Sequence, residues 1–163
     1  MNNNEFVNDN LDNLLIEALN SELKAKEFYE NAHEKAKSNS GKQLFMELAE
    51  FEKNHYNKVK KIIESRKEGE IIQDNDITSK KLQIKSEIEG DIEPNKDEII
   101  NVIYLAIESE KKAHERYRKI SNMFNNEEGK KIFNNLALDE INHQRILEDE
   151  LYQLSNKGTI IWG

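Results

Sequence analysis

The chain has 163 residues, with 24 Lys+Arg against 32 Asp+Glu for a formal charge of -8, and 36% of its residues are hydrophobic. That length suits one domain around a single core, and a charged fraction of 34% with one proline and six glycines argues against the many turns of an all-β fold. The acidic balance repels phosphate backbones and anionic lipid heads, and no basic patch offsets it, so nucleic acid and membrane are excluded as partners.

The N-terminal Met1–Glu5 has neither the basic nor the apolar region of a leader, and apolar runs elsewhere are only a few residues long. The chain therefore reads as soluble and cytoplasmic. Leu11, Leu15, Ala18, Glu22, Ala25, Tyr29, Ala32 and Ala36 recur at steps of four and three, which predicts an amphipathic helix over about 9–37. The stepping returns at Phe45, Leu48, Glu52, His55, Val59 and Ile62 for a second helix, with Ser38 as its N-cap. These two form a hairpin over about 9–67. A connection over about 68–94 follows, with Gly69, Gly90, Pro94 and a weak alternation at Leu82, Ile84 and Ile88; its length reads as a crossover. Ile99, Ile103, Ala106, Glu110, Ala113, Tyr117 and Ile120 make a third helix, expected to start in a capping box of Asn95 and Glu98. Phe133, Leu136, Glu140, His143, Leu147 and Leu154 make a fourth, capped by Asn126. The second hairpin spans about 95–156, and the tail 157–163 is apolar enough to dock on the bundle or on a neighbouring subunit. The fold class is all-α, a four-helix bundle of two antiparallel hairpins joined by a long crossover.

A shift of 88 residues, the separation of Glu22 from Glu110, superimposes the hairpins without a gap. Ala18, Ser21, Glu22, Lys24, Ala25, Glu27 and Tyr29 recur as Ala106, Ser109, Glu110, Lys112, Ala113, Glu115 and Tyr117. Gly41, Phe45, Leu48, Ala49, Glu52 and His55 recur as Gly129, Phe133, Leu136, Ala137, Glu140 and His143. A duplicated hairpin predicts a pseudo-two-fold bundle in which matching residues face one another.

Each seam is broken by side chains that do not belong in a core: Glu22, Glu52 with His55, Glu110, and Glu140 with His143. Counting from each hairpin turn at 1.5 Å per residue puts Glu22 level with Glu52 and Glu110 level with Glu140. The i, i+3 spacing of each Glu-x-x-His sets both groups on one face. Four carboxylates buried together must be protonated, paired or bound to metal. No Lys or Arg lies on a seam at that level, and two divalent cations would balance them, with two imidazoles completing the coordination. A cluster of carboxylic acids hydrogen-bonded to histidines, or a solvated groove, is the alternative. With no cysteine in the chain, disulfides, iron–sulfur clusters and thiolate zinc sites are excluded, and any metal is held by oxygen and nitrogen. Such ligation favours iron or manganese, and zinc can substitute. Tyr29 and Tyr117 lie two turns from their glutamates on the same face, within reach of a ligand carboxylate. His33 and His114 have no duplicated counterpart and read as surface or rim residues, and Glu47, Glu50 and Asp139 as a solvated face.

The two copies of a Glu followed seven residues later by Tyr and thirty later by Glu-x-x-His resemble the di-iron domain of rubrerythrins, in the ferritin-like superfamily. The resemblance implies two iron ions, with Glu22 and Glu110 as terminal ligands, Glu52 and Glu140 as bridging carboxylates, and His55 and His143 as one imidazole per iron. It also implies reduction of hydrogen peroxide and a role in oxidative stress. Many rubrerythrins carry a rubredoxin domain with four cysteines; this chain would instead need an external electron-donor protein. They also carry a further glutamate one turn after the third-helix ligand, where Ala113 stands here, leaving six ligands as in bacterioferritins. Lys53 occupies the position of the bacterioferritin haem-binding methionine. With alanine at both 25 and 113, the surroundings of the two ions are expected to be nearly symmetric. Three functions fit: an oxidoreductase acting on peroxide or oxygen, a ferroxidase or iron-storage protein, and a non-catalytic metal-binding bundle. The expected state is a homo-oligomer, a dimer or larger.

Overall fold

Four long helices run α1 (Asn3–Lys35), α2 (Asn39–Lys67), α3 (Lys96–Met123) and α4 (Glu127–Lys157), with two-residue strands β1 (Asp91–Ile92) and β2 (Thr159–Ile160). The computed structural model describes residues 3–69 and 90–162, with side chains from residue 10 onward. The alternation at Leu82, Ile84 and Ile88 lies outside the described residues. Helix α1 begins well before the expected residue 9; Val7, one step of four ahead of Leu11, is the sequence signal for the earlier start.

Helices α1 and α2 pack as one antiparallel hairpin, α3 and α4 as the other. Arg66, at the end of α2, pairs with Asp12 near the start of α1 at 2.9 Å. At the other end of the bundle Asn95, the N-cap of α3, donates its side-chain amide to Lys35 O at 2.9 Å. The end of α2 and the start of α3 are thus at opposite ends of the bundle. The last residues of the connection between them pair β1 with β2 in antiparallel register, Asp91 opposite Ile160 and Ile92 opposite Thr159.

Two of the three expected caps form. Ser38 Oγ accepts from Gly41 N at 2.9 Å and Asn126 Oδ1 from Gly129 N at 2.6 Å. Asn95 makes no side-chain cap bond; its amide is spent on Glu98 at 3.0 Å and on Lys35 O. Glu93 provides a cap absent from the helix pattern. It accepts from Lys37 N, Ser38 N, Ser38 Oγ and Asn95 N, at the positive end of α2. Burial raises its carboxyl, but these donors outweigh burial and hold it below the ordinary value.

The duplication survives where residues differ. His33 bonds Lys42 O at 2.8 Å, and its counterpart Ser121 bonds Lys130 O at 3.0 Å. Gly129 has a steric origin, because a Cβ there would come within 2.3 Å of the Phe124 ring. That ring stacks on Phe133, centroids 5.3 Å apart, and lies under Arg66. Gly129→Ala should therefore cost about 1–3 kcal/mol, measured by chemical denaturation; an unchanged midpoint would show that Phe124 moves without penalty.

The tail docks on the bundle of its own chain. Ile160 and Trp162 are buried in the apolar cluster of Leu44, Leu48, Ile103 and Leu154. Trp162 Nε1 donates to Glu47, so Glu47 belongs to this contact rather than to a solvated face. Ile161 N donates to Glu150 Oε2 at 2.9 Å, and burial pushes the Glu150 carboxyl up to about 7. A second apolar cluster, around Leu11, Leu15, Ile62, Tyr117, Phe124 and Phe133, fills the other end. Between the clusters lies a polar layer.

Candidate metal centre

That layer holds Glu22 from α1, Glu52 and His55 from α2, Glu110 from α3, and Glu140 and His143 from α4, each at most 2% exposed. The helical stepping that carries the apolar seam also points these six inward, so folding the bundle brings them together. Their ligand atoms form two groups, Glu22, Glu52, His55 and Glu140, and Glu52, Glu110, Glu140 and His143, each within a span of 4.8 Å. Glu52 and Glu140 belong to both. Each imidazole turns Nδ1 inward. His55 Nδ1 lies 2.7 Å from Glu140, 3.6 Å from Glu52 and 3.8 Å from Glu22. His143 Nδ1 lies 3.3 Å from Glu52, 3.5 Å from Glu110 and 3.9 Å from Glu140. The rings are stacked with centroids 6.0 Å apart.

Protein atoms alone leave this layer unsatisfied. Glu22 Oε2, both oxygens of Glu52, Glu110 Oε2, Glu140 Oε1 and the Nδ1 of both histidines are buried with no hydrogen bond of acceptable geometry. Buried polar atoms are nearly always paired, and each orphan costs about 1–3 kcal/mol. Orphans that converge on two small volumes, mostly oxygen with one imidazole nitrogen each, are the donor set of two divalent cations.

The electrostatics agree. Burial, reinforced by Glu52, raises the Glu22 carboxyl well above its ordinary value; burial with Glu110 and Glu52 does the same for Glu140. Burial also acts to raise Glu52, but the adjacent Glu22 carboxyl and the His143 and His55 imidazoles outweigh it and hold Glu52 well below. Burial would lower both imidazoles, yet Glu140 and Asp139 raise His55 well above its ordinary value, and Glu110 and Glu52 raise His143 to about 9. Protons thus fill the role that divalent cations would fill in this layer.

The tyrosines reach across the bundle rather than along their own helices. Tyr29 Oη donates to Glu110 Oε1 at 2.6 Å, and Tyr117 Oη donates to Glu22 Oε1. Both phenols are fully buried, and burial beside these carboxylates raises them well above their ordinary value, keeping the donated proton on oxygen. Each hairpin therefore steadies a buried glutamate of the other.

The expectation of a solvated Asp139 is corrected. It is 8% exposed, and its Oδ2 lies 3.1 Å from His55 Nε2. The signal was available, since a shift of 88 residues pairs Asp139 with Phe51, an apolar residue that belongs inside. The surroundings of the two halves are accordingly not symmetric. Glu50 is exposed as expected. His114 is half-buried, with Nδ1 on Ala137 O at 3.0 Å.

A cleft of 260 Å³ opens between α1 and α3 and reaches Glu22, Glu52, Glu110 and Glu140. Ala25 and Ala113 lie on its walls, with Ser21, Ser109 and Phe28, and the small side chains among these leave the cleft open down to the carboxylates at its floor. Among the described residues no helix is long and apolar enough to cross a membrane.

An all-α bundle with a buried, duplicated carboxylate–histidine layer defines the class of ferritin-like proteins with a dinuclear metal site. The family profile described as rubrerythrin matches residues 13–151. The chain belongs to the rubrerythrin family. It is similar to the solved structure of a hypothetical protein from Pyrococcus furiosus, with 29% identity, 90% of each chain covered and a TM-score of 0.71. No curated protein matches.

Proposed function

We propose that the chain is a dinuclear-iron oxidoreductase that reduces hydrogen peroxide or oxygen with electrons from an external donor protein. The observation that carries this reading is the pair of ligand groups sharing Glu52 and Glu140. A ferrous pair, when bound, would supply two electrons, which with two protons convert hydrogen peroxide to two waters. Glu22 and His55 would hold one ion and Glu110 and His143 the other, with Glu52 and Glu140 common to both. Tyr29 and Tyr117 fix the outer carboxylates through their donated hydrogen bonds. The apolar clusters at both ends of the layer exclude bulk water, and the α1/α3 cleft admits a small oxidant. The methyl groups of Ala25 and Ala113 on that cleft favour the second reading, a ferroxidase or iron-storage protein, because they offer no further ligand.

The test is anaerobic iron loading followed by mixing with peroxide or with oxygen, together with the solution mass. A homo-oligomer as small as a dimer that prefers peroxide supports the proposal. A large shell that prefers oxygen would establish the storage reading, and no turnover with either would leave a non-catalytic bundle. Ala113→Glu places a carboxylate one turn from Glu110. It is expected to raise the peroxide rate about tenfold, a barrier change of about 1.4 kcal/mol, with a smaller rise for oxygen. Equal or lower rates with both oxidants would show that Ala113 is not the determinant.

A further inference from the structure

The repeat is nearly faithful around the centre, and it fails at one position that touches both histidines. Shifting by 88 residues carries His55 to His143 and Phe51 to Asp139. In a symmetric bundle the Nε2 of each histidine would meet the same kind of residue from the opposite hairpin. Instead, Asp139 of α4 meets His55 Nε2 at 3.1 Å. Phe51 of α2 meets the His143 ring edge-on, with centroids 4.5 Å apart at 86°. His143 Nε2 is buried without a hydrogen-bond partner.

A neutral imidazole that offers Nδ1 to a cation carries its proton on Nε2. At His55 that proton has a carboxylate acceptor, which fixes the tautomer and the ring orientation and raises the basicity of Nδ1. At His143 the same tautomer buries a donor against an aromatic ring, which disfavours the form that binds metal. All other donors are matched in kind: a terminal glutamate steadied by a tyrosine, and two shared glutamates.

We propose that Asp139 is a positioning residue that makes the two metal subsites unequal, so that the first divalent cation enters the Glu22–His55 half and the second enters the Glu110–His143 half with lower affinity. This rests on the metal-centre reading above. Partners of this kind change metal affinity by about 10–100-fold, which sets the separation expected between the two steps.

The test titrates the metal-free protein with cobalt(II), following calorimetry and the visible ligand-field bands. Crystals carrying one equivalent of cobalt then locate the ion by anomalous scattering. The wild type should bind two ions in resolved steps, the first ion lying beside His55. Asp139→Leu should weaken the first step about 10–100-fold and merge it with the second. Asp139→Asn keeps the shape of the side chain in case the leucine variant fails to fold, and should shift the single ion towards equal occupancy of both halves. Phe51→Asp should move occupancy towards His143. A merely structural role for Asp139 would lower stability without moving the ion. Two equal steps in the wild type, a first ion beside His143, or equal weakening of both steps in the Asp139 variants would overturn the proposal while leaving the metal centre intact. Failure to bind any cobalt would overturn the metal-centre reading and this inference with it.

Discussion

Anaerobic ferrous iron should raise the melting temperature of this protein by about 8–16 °C for each ion bound at a thousandfold excess over its dissociation constant. Binding to the native state alone contributes about 4.1 kcal/mol under those conditions, and a chain of this size shifts by roughly 2–4 °C per kcal/mol. Glu52 and Glu140, which belong to both candidate ligand groups, should then behave differently from each other. Burial and the neighbouring Glu110 push the Glu140 carboxyl well above its ordinary value, towards its neutral form, when no metal is bound, and Glu140→Gln keeps that neutral form and the same shape. The metal-free variant should lie within about 1 kcal/mol of the wild type, while most of the iron-dependent rise is lost. Glu52 is held ionised between the two imidazoles, and Glu52→Gln removes their counter-charge. The metal-free protein should lose about 3 kcal/mol or more. Calorimetric melts in chelator and in iron measure all four quantities. A Glu140→Gln protein that kept the full rise would show that Glu140 is not shared between ions.

Metal loading near neutral pH should release about two to four protons per pair of ions, because a ligand must shed its proton to bind metal. Four of the six ligand-type groups in the layer carry raised values in the metal-free protein: Glu22, Glu140, His55 and His143, the last near 9. For the histidines, a folded value above the unfolded one gives stability that is full below about 6.5 and lost as pH rises towards the folded value. For the two raised carboxyls the folded state likewise holds more protons, so stability again falls with rising pH. The metal-free protein should therefore lose stability as pH rises from about 4.5, first as the raised carboxyls, Glu150 among them, ionise and then up to about 9 as the histidines lose their protons, with about 3 kcal/mol from His143 between 6.5 and 9. The iron-loaded protein should gain relative to it over the same window. Calorimetry in buffers of different ionisation enthalpy counts the protons, and no release at pH 7 would mean that the histidines bind iron without having been protonated.

The sequence alone determined the four-helix architecture and the six polar residues of the central layer. Helical period is a local property, and any inward-facing residue at Glu22, Glu52, His55, Glu110, Glu140 or His143 shares the spacing of the leucines and alanines around it. The duplication added the pairing of the halves, since residues matched in the repeat must meet near a pseudo-two-fold axis. What the spacing left open was which partner each side chain takes across the bundle. Tyr29 sits two turns from Glu22 on its own helix, but antiparallel packing of α1 against α3 brings it to Glu110 instead. Asp139 lies one residue off the seam and reads as exposed by its charge; only the crossing of α4 over α2 puts it on His55. The Asn95–Glu98 motif matches a capping box, yet Lys35 O arrives from α1 and takes the amide. The docking of Trp162 on Glu47 joins residues 115 positions apart in the chain. Local periodicity decides which face of a helix is buried, and the relative placement of helices decides what that face meets, because contacts between distant segments leave no period in either one.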